Sequence, residues 1–139
     1  MAVIFKELKF STSKDFDVVD ITQDVQNAIS ESGLANGIAN LFVIGSTASI
    51  STVEYEPNLV KDLKAAMERI APSGIEYNHH LTWGDANGKS HVRATILGPG
   101  TTVPFKDGRL ITGTWQQLVL LDFDVPARTR RIQLTLSGE

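Results

Sequence analysis

Leu118-Val-Leu-Leu-Asp-Phe123 is apolar at five of its six positions. The odd positions are all apolar and the even ones are apolar at two of three, so neither face of the segment suits water. A strand of that kind is buried on both sides, deep in a β-rich body. The flanking sequence supplies the rest of that body. Downstream, Ile132, Leu134 and Leu136 alternate with Gln133 and Thr135, the pattern of a half-buried strand. Upstream, residues 101–105 and 109–111 flank Lys106-Asp107-Gly108, a hairpin turn. Residues 90–97 also alternate, with Val92, Ala94 and Ile96 on one face and His91, Arg93 and Thr95 on the other. Everything from residue 90 onward therefore reads as β.

The first half mixes both periods. Residues 3–11 predict a strand that ends in Ser11-Thr-Ser-Lys14, and residues 16–19 a short second one. Thr22 reads as an N-cap, with Ile21 stapling the first turn of a helix carried by Val25, Ala28 and Ile29 and stopped by Gly33. Residues 38–44 form a continuous apolar run, read as a strand buried on both faces. Strand character resumes at 50–53. Glu56-Pro57-Asn58 opens a second helix whose Leu59, Leu63, Ala66, Met67 and Ile70 share a face, ended by Pro72 and Gly74. The sum is one α+β domain over residues 1–139, a β-rich mixed sheet or sandwich with two helices on one side.

Composition narrows the function classes. A net charge of −3 gives no general attraction to nucleic acid or to an anionic membrane. The absence of cysteine excludes a disulfide framework and any thiolate metal site. No apolar run approaches the roughly 20 residues of a membrane span. Met-Ala-Val-Ile-Phe-Lys-Glu lacks the basic start and long apolar stretch of a signal peptide. A cytoplasmic protein is expected.

Chemistry concentrates in Asn78-His-His-Leu-Thr-Trp-Gly-Asp-Ala-Asn-Gly-Lys-Ser-His-Val-Arg93, which holds all three histidines of the chain. His79 ends a short extended stretch, 76–80, and Asp85-Ala-Asn-Gly88 is a turn. If the loop folds back, His79, Asp85, Asn87 and His91 converge. Two chemistries fit such a cluster. One is a divalent metal held by imidazoles and a carboxylate; the other is acid–base catalysis with Asp85 orienting a histidine. A plain Asx-turn with surface histidines fits as well, because the spacing matches no specific metal motif. Gly45-Ser-Thr-Ala-Ser-Ile-Ser-Thr-Val-Glu54 offers hydroxyls and backbone N–H groups to an anion or is a polar edge strand; it lacks P-loop spacing. Arg128, Arg130 and Arg131, with Arg109 upstream, suit either phosphate recognition or salt bridges. Trp115, in Gly113-Thr-Trp-Gln116, suits a core or a subunit contact.

Read together, these segments resemble the YjbQ family of small proteins, in its archaeal-type form. The resemblance runs through Gly45-Ser-Thr-Ala48, Glu54-Tyr-Glu-Pro57, Tyr77-Asn-His79 and Asp85-Ala-Asn-Gly-Lys-Ser-His-Val-Arg93. It continues through Gly98-Pro-Gly-Thr-Thr-Val-Pro-Phe-Lys-Asp-Gly-Arg-Leu-Ile-Thr-Gly-Thr-Trp-Gln116, Leu121-Asp-Phe-Asp124, the arginines and Gly138-Glu139. It implies an α+β homotrimer with a polar cleft near the subunit boundaries. There it gathers His79, Asp85, Asn87 and His91, with Thr47 and Glu54, and lets Gln116 face the cleft. It also implies a secondary thiamine-phosphate synthase, joining a pyrimidine diphosphate to a thiazole phosphate. In that reaction a divalent metal (Mg or Zn) on His79 and His91, together with Arg93 or Arg109, would neutralise the departing diphosphate. A non-catalytic trimer holding a metal or phosphorylated metabolite, and a metal-dependent hydrolase, are the alternatives. The chain departs from the family pattern at Gly45 and Lys89, where histidine is common, at Ala86, where glycine is usual, and at Gly100, where serine is common.

Overall fold

A computed structural model describes residues 1–139. The elements, in chain order, are β1 (Ala2–Ser11), β2 (Asp17–Asp20), α1 (Thr22–Ser32), β3 (Gly37–Ile44), β4 (Ala48–Val53), α2 (Pro57–Ile70), α3 (His79–Trp83), α4 (Gly88–Leu97), β5 (Gly100–Lys106), β6 (Arg109–Leu110), β7 (Gln117–Asp122) and β8 (Thr129–Gly138). Five strands form one sheet, in the order β1-β8-β3-β5-β6, and three form another, β2-β7-β4. Every pairing is antiparallel, so the expectation of a mixed sheet is corrected. The α+β class holds. There are four helices rather than two.

The central strand is β7. Leu118 and Leu120 point into a core shared with α1, β3, β5 and β8, while Val119 and Leu121 point into a second core with Met67 of α2 and Ala94 of α4. All four are essentially inaccessible to water. The three-stranded sheet is thus a middle layer, with the five-stranded sheet on one side and α2 and α4 on the other. That position accounts for the two-faced apolar pattern of residues 118–123.

Three other expectations change. Residues 38–44 bury only Ala39, Leu41 and Val43; Ile38, Phe42 and Ile44 are exposed, because no layer covers the outer face of the five-stranded sheet. Thr22 is the first residue of α1 rather than its cap: its N–H and hydroxyl both donate to Asp20 Oδ1, at 3.0 and 2.7 Å. The third change decides the site. Residues 88–97 form helix α4, not a strand, and residues 79–83 form helix α3, not an extended stretch. Ser90, Arg93 and Ala94 face inward at helical spacing, whereas Val92 and Ile96 are exposed. Both periods fit this segment, and burial of the 90/93/94 stripe decides in favour of the helix. Ser90 Oγ donates to Phe123 O at 2.5 Å and Ser49 Oγ to Ala94 O at 3.1 Å, which fastens α4 to the middle sheet.

One end of the main core is closed by charge. Arg130 continues the inward register of Ile132 and Leu134 on β8, and Asp122 continues that of Leu118 and Leu120 on β7. They meet between the sheets: Arg130 Nε donates to Asp122 Oδ2 at 2.8 Å and Nη2 to Oδ1 at 2.7 Å. Thr12 Oγ1 donates to Asp122 Oδ2 at 2.6 Å, and the Asp124 N–H to Oδ1 at 3.0 Å. Burial alone would raise the Asp122 carboxyl, but the bonds from Arg130, Thr12 and Asp124 outweigh it and hold the group below its usual 3.8.

Leu120→Ala should lower the unfolding free energy by about 2–5 kcal/mol in urea titrations. Asp122→Asn leaves the buried Arg130 guanidinium with only the more distant Asp124 carboxylate, at 3.9 Å, and should cost up to about 3–5 kcal/mol. Because the folded Asp122 carboxyl lies below its unfolded value, its stabilisation is present above pH 3.8 and is lost as the pH falls through the folded value. The acid limb of the melting temperature should therefore be flatter in Asp122→Asn than in the parent chain.

Candidate functional site

The site is built where α3 runs into α4. Gly84 ends α3 with φ +69°, and Asn87 stands at the N-cap of α4. Gly88 is required by space: a Cβ there would lie 2.6 Å from Tyr77 Cβ and 3.3 Å from His79 Cβ. Its absence lets the start of α3 press against the first turn of α4. His91, one turn beyond Gly88, then meets His79, with ring centroids 4.6 Å apart and planes at 40°.

Asp85 lies beside this pair. Its Oδ1 is 3.0 Å from His79 Nδ1, close enough for attraction but not aligned as a hydrogen bond, so that buried nitrogen has no donor–acceptor partner. His80 Nδ1 is 2.9 Å from the Asp85 carbonyl. The Asn87 amide sits between two carboxylates. With its nitrogen toward Asp85 it donates at 2.9 and 3.3 Å; turned the other way, it reaches Asp124 Oδ1 only at 3.5 Å. The shorter contact is the better bond.

Asp124 links this cluster to the interior. Its Oδ2 accepts from Arg128 Nε at 2.9 Å and Thr47 Oγ1 at 3.2 Å, and its Oδ1 from the Val125 N–H at 2.9 Å. Burial pushes its carboxyl up, yet those bonds prevail and hold it below the usual range. Thr47 in turn accepts from Arg130 Nη2 at 2.6 Å. Gly45, with φ +147°, leaves room for Arg130: a Cβ at that position would lie 2.8 Å from Nη1.

The expected residues thus divide. His79, Asp85, Asn87 and His91 converge, although through a helix, and Thr47 bonds to Asp124, whose carboxylate lies beside the Asn87 amide. Arg93 does not share a face with His91. Two residues along a helix turn the chain by roughly 200°, and Arg93 is buried against α2, donating to Ala71 O at 2.8 and 3.1 Å and to Glu68 Oε2 at 2.8 Å. Glu54 and Gln116 lie at the far end of the middle sheet: the register pairs Ala48 with Asp122 but Val53 with Gln117, roughly 20 Å of strand. There Gln116 donates to Thr52 Oγ1 at 3.2 Å. Arg109 lines a separate hollow with Gln26 and Asp107. The arginine cluster is mainly salt-bridged, Arg128 to Asp124 and Arg130 to Asp122. Trp115 is exposed.

Of the two roles open to Arg128 and Arg130, the salt bridge is the one they take, whereas Asp122 and Asp124 escaped the reading of the sequence as site residues. Their signal was present in two acids, two residues apart, that break an apolar strand just before an arginine cluster. As for a metal, no three histidine or carboxylate groups surround a common point. His79 and His91 lie ring against ring, and a divalent ion would need further ligands from outside this set. What the arrangement does provide is an imidazole beside a carboxylate, a second imidazole stacked on it, and a half-exposed guanidinium, Arg128, held one residue pair away.

Comparison with known proteins agrees with the whole architecture. The family model described as UPF0047 protein YjbQ-like matches residues 6–139. A UPF0047 protein of Methanothermobacter thermautotrophicus is 37% identical over all of this chain and 95% of its own length. YugU of Bacillus subtilis is 30% identical over 97% of this chain and all of its own. A Sulfolobus solfataricus crystal structure, described as a YbjQ-like protein of unknown function, superposes with a TM-score of 0.93 at 35% identity over 99% of both chains. With a family match over nearly its whole length and archaeal relatives at this identity, the chain belongs to the UPF0047 (YjbQ-like) family.

Proposed function

We propose that the chain is an enzyme that transfers a group between phosphorylated small molecules at the His79–Asp85–His91 cluster. The observation that carries this reading is the buried Nδ1 of His79, left without an aligned partner beside the Asp85 carboxylate and against the His91 ring. An imidazole held by packing and not consumed by a structural bond suits acid–base work. Asp85 orients the imidazole, and Asn87 steadies Asp85. The negative net charge is compatible with a small-molecule partner and gives no pull on nucleic acid.

The first reaction to test is the one the resemblance implies. A thiazole phosphate nitrogen would attack the methylene carbon of a pyrimidine diphosphate, while the carbon–oxygen bond breaks and its electron pair leaves with diphosphate. A protonated His79 or His91 would donate to the departing oxygens. Arg93 is committed to Ala71 and Glu68 and Arg109 lines another hollow, whereas Arg128 is half-exposed on Asp124, which lies beside Asn87. A homotrimer belongs to the same reading. It is supported by the uncovered outer sheet face, where exposed apolar side chains on β1 (Val3, Phe5) and β3 (Ile38, Phe42, Ile44) flank the polar row of β8 and suit partial burial against another chain.

Product formation from the two phosphorylated substrates should fall by about 100-fold or more in His79→Ala and His91→Ala, the scale of a lost acid–base group. Unchanged turnover in either variant removes that histidine from the chemistry. Saturable binding without product would favour the non-catalytic alternative. Sedimentation equilibrium should return three times the 15.2 kDa chain mass, and a monomer would end the trimer proposal.

A further inference from the structure

A cleft of about 470 Å³ opens between α2 and α4, on the side of α4 away from His91. Arg93 forms its base and is only 3% exposed. Its Nε and Nη2 are committed to Ala71 and Glu68. Nη1 has no acceptor in the chain, yet it is not sealed from solvent as His79 Nδ1 is, and Arg93 lines the cleft. A buried guanidinium with an unused edge is a built acceptor site for an oxyanion.

The charges around it favour the same ligand. Lys64 and Lys89 line the cleft and neither has a carboxylate partner: Lys89 Nζ donates to Ser73 Oγ at 3.0 Å, and Lys64 Nζ lies 5.6 Å from the Phe16 ring centre. The acids facing them are mostly occupied. Glu68 accepts from the Ser73 N–H, the Ser73 hydroxyl and Arg93, which holds its carboxyl down at about 2. Asp124 is taken up by Arg128, Thr47 and the Val125 N–H. Only Asp15 at the lip is free of a side-chain bond. Two unpaired ammonium groups and one open guanidinium edge therefore outweigh one free carboxylate. Asp15 and Phe16 hold φ values of +61° and +70°, a strained backbone at that lip.

We infer that this α2–α4 cleft binds the phosphate group of a small molecule through Arg93, Lys64 and Lys89. The cleft is large enough for a metabolite beyond the phosphate itself. Only the identity of that metabolite rests on the proposed function; the site stands on its own geometry and shares only Asp124 with the histidine cluster.

Titration calorimetry of the purified chain with inorganic phosphate, pyrophosphate and acetate tests the inference. Phosphate and pyrophosphate should bind at one site per chain, with acetate much weaker. The double variant Lys64→Gln, Lys89→Gln, which leaves the Arg93–Glu68 contact intact, should weaken phosphate by about tenfold or more. His91→Ala should bind phosphate as the parent does, even if it abolishes turnover. The inference is overturned by absence of phosphate binding, by unchanged binding in the double lysine variant, by loss of binding in His91→Ala, or by acetate binding as tightly as phosphate.

Discussion

The bidentate contact between Arg130 and Asp122 holds one end of this molecule together. Two sheets packed face to face need a way to end their shared core without leaving a water-filled gap. Here the inward registers of β7 and β8 run out of leucine and isoleucine at the same level and place opposite charges there. A buried pair of this kind is tolerated only when its remaining donors and acceptors are satisfied. Thr12, Thr47 and the Asp124 N–H supply those bonds. The requirement propagates outward: Thr47 must lie beside Asp124, Asp124 must take Arg128, and the Asn87 amide comes within reach of Asp124. Structural charge and candidate chemistry form one continuous polar seam.

Along that seam the helix α4 sorts side chains by face. Its inward stripe locks Ser90 and Ala94 to the middle sheet, its His91 side faces α3, and its Arg93 side faces α2. Ten residues thereby serve both the histidine cluster and the α2–α4 cleft. A strand over the same residues would have presented His91 and Arg93 together and left no second cleft.

Much of the architecture was legible from periodicity. β7 was readable because five of six consecutive positions are apolar, on both faces, and β8 because Ile132, Leu134 and Leu136 keep strict alternation. α1 and α2 were readable from helical stripes, as was the hairpin at Asp107-Gly108. The failures share a cause. In residues 90–97, β-branched Val92, Thr95 and Ile96 mimic a strand, and only tertiary burial of Ser90, Arg93 and Ala94 distinguishes the two periods. In residues 38–44, apolar character on the outer face looks like burial, although the single chain leaves that face bare. At the site, the nearness of His79, Asp85, Asn87 and His91 followed from their closeness in sequence. The contribution of Asp122, Asp124 and Arg130 depended on a meeting of two sheets: the two acids and the arginines are visible in the sequence, but which of them pair is not.

The strand order of the larger sheet has a consequence for how the chain acquires its shape. β8, the last strand in chain order, lies between β1 and β3, and its register sets Ala2 opposite Gly138. Until residues 129–138 emerge from the ribosome, β1 has no hydrogen-bonding neighbour and β3 lacks one of its two. Contacts between such distant segments form slowly, because a long loop must close before they stabilise anything. The nascent chain must therefore wait with its first strand unpaired, and Ile4, Leu8 and Phe10, which pack on the main core once β8 is in place, stay open to water until then.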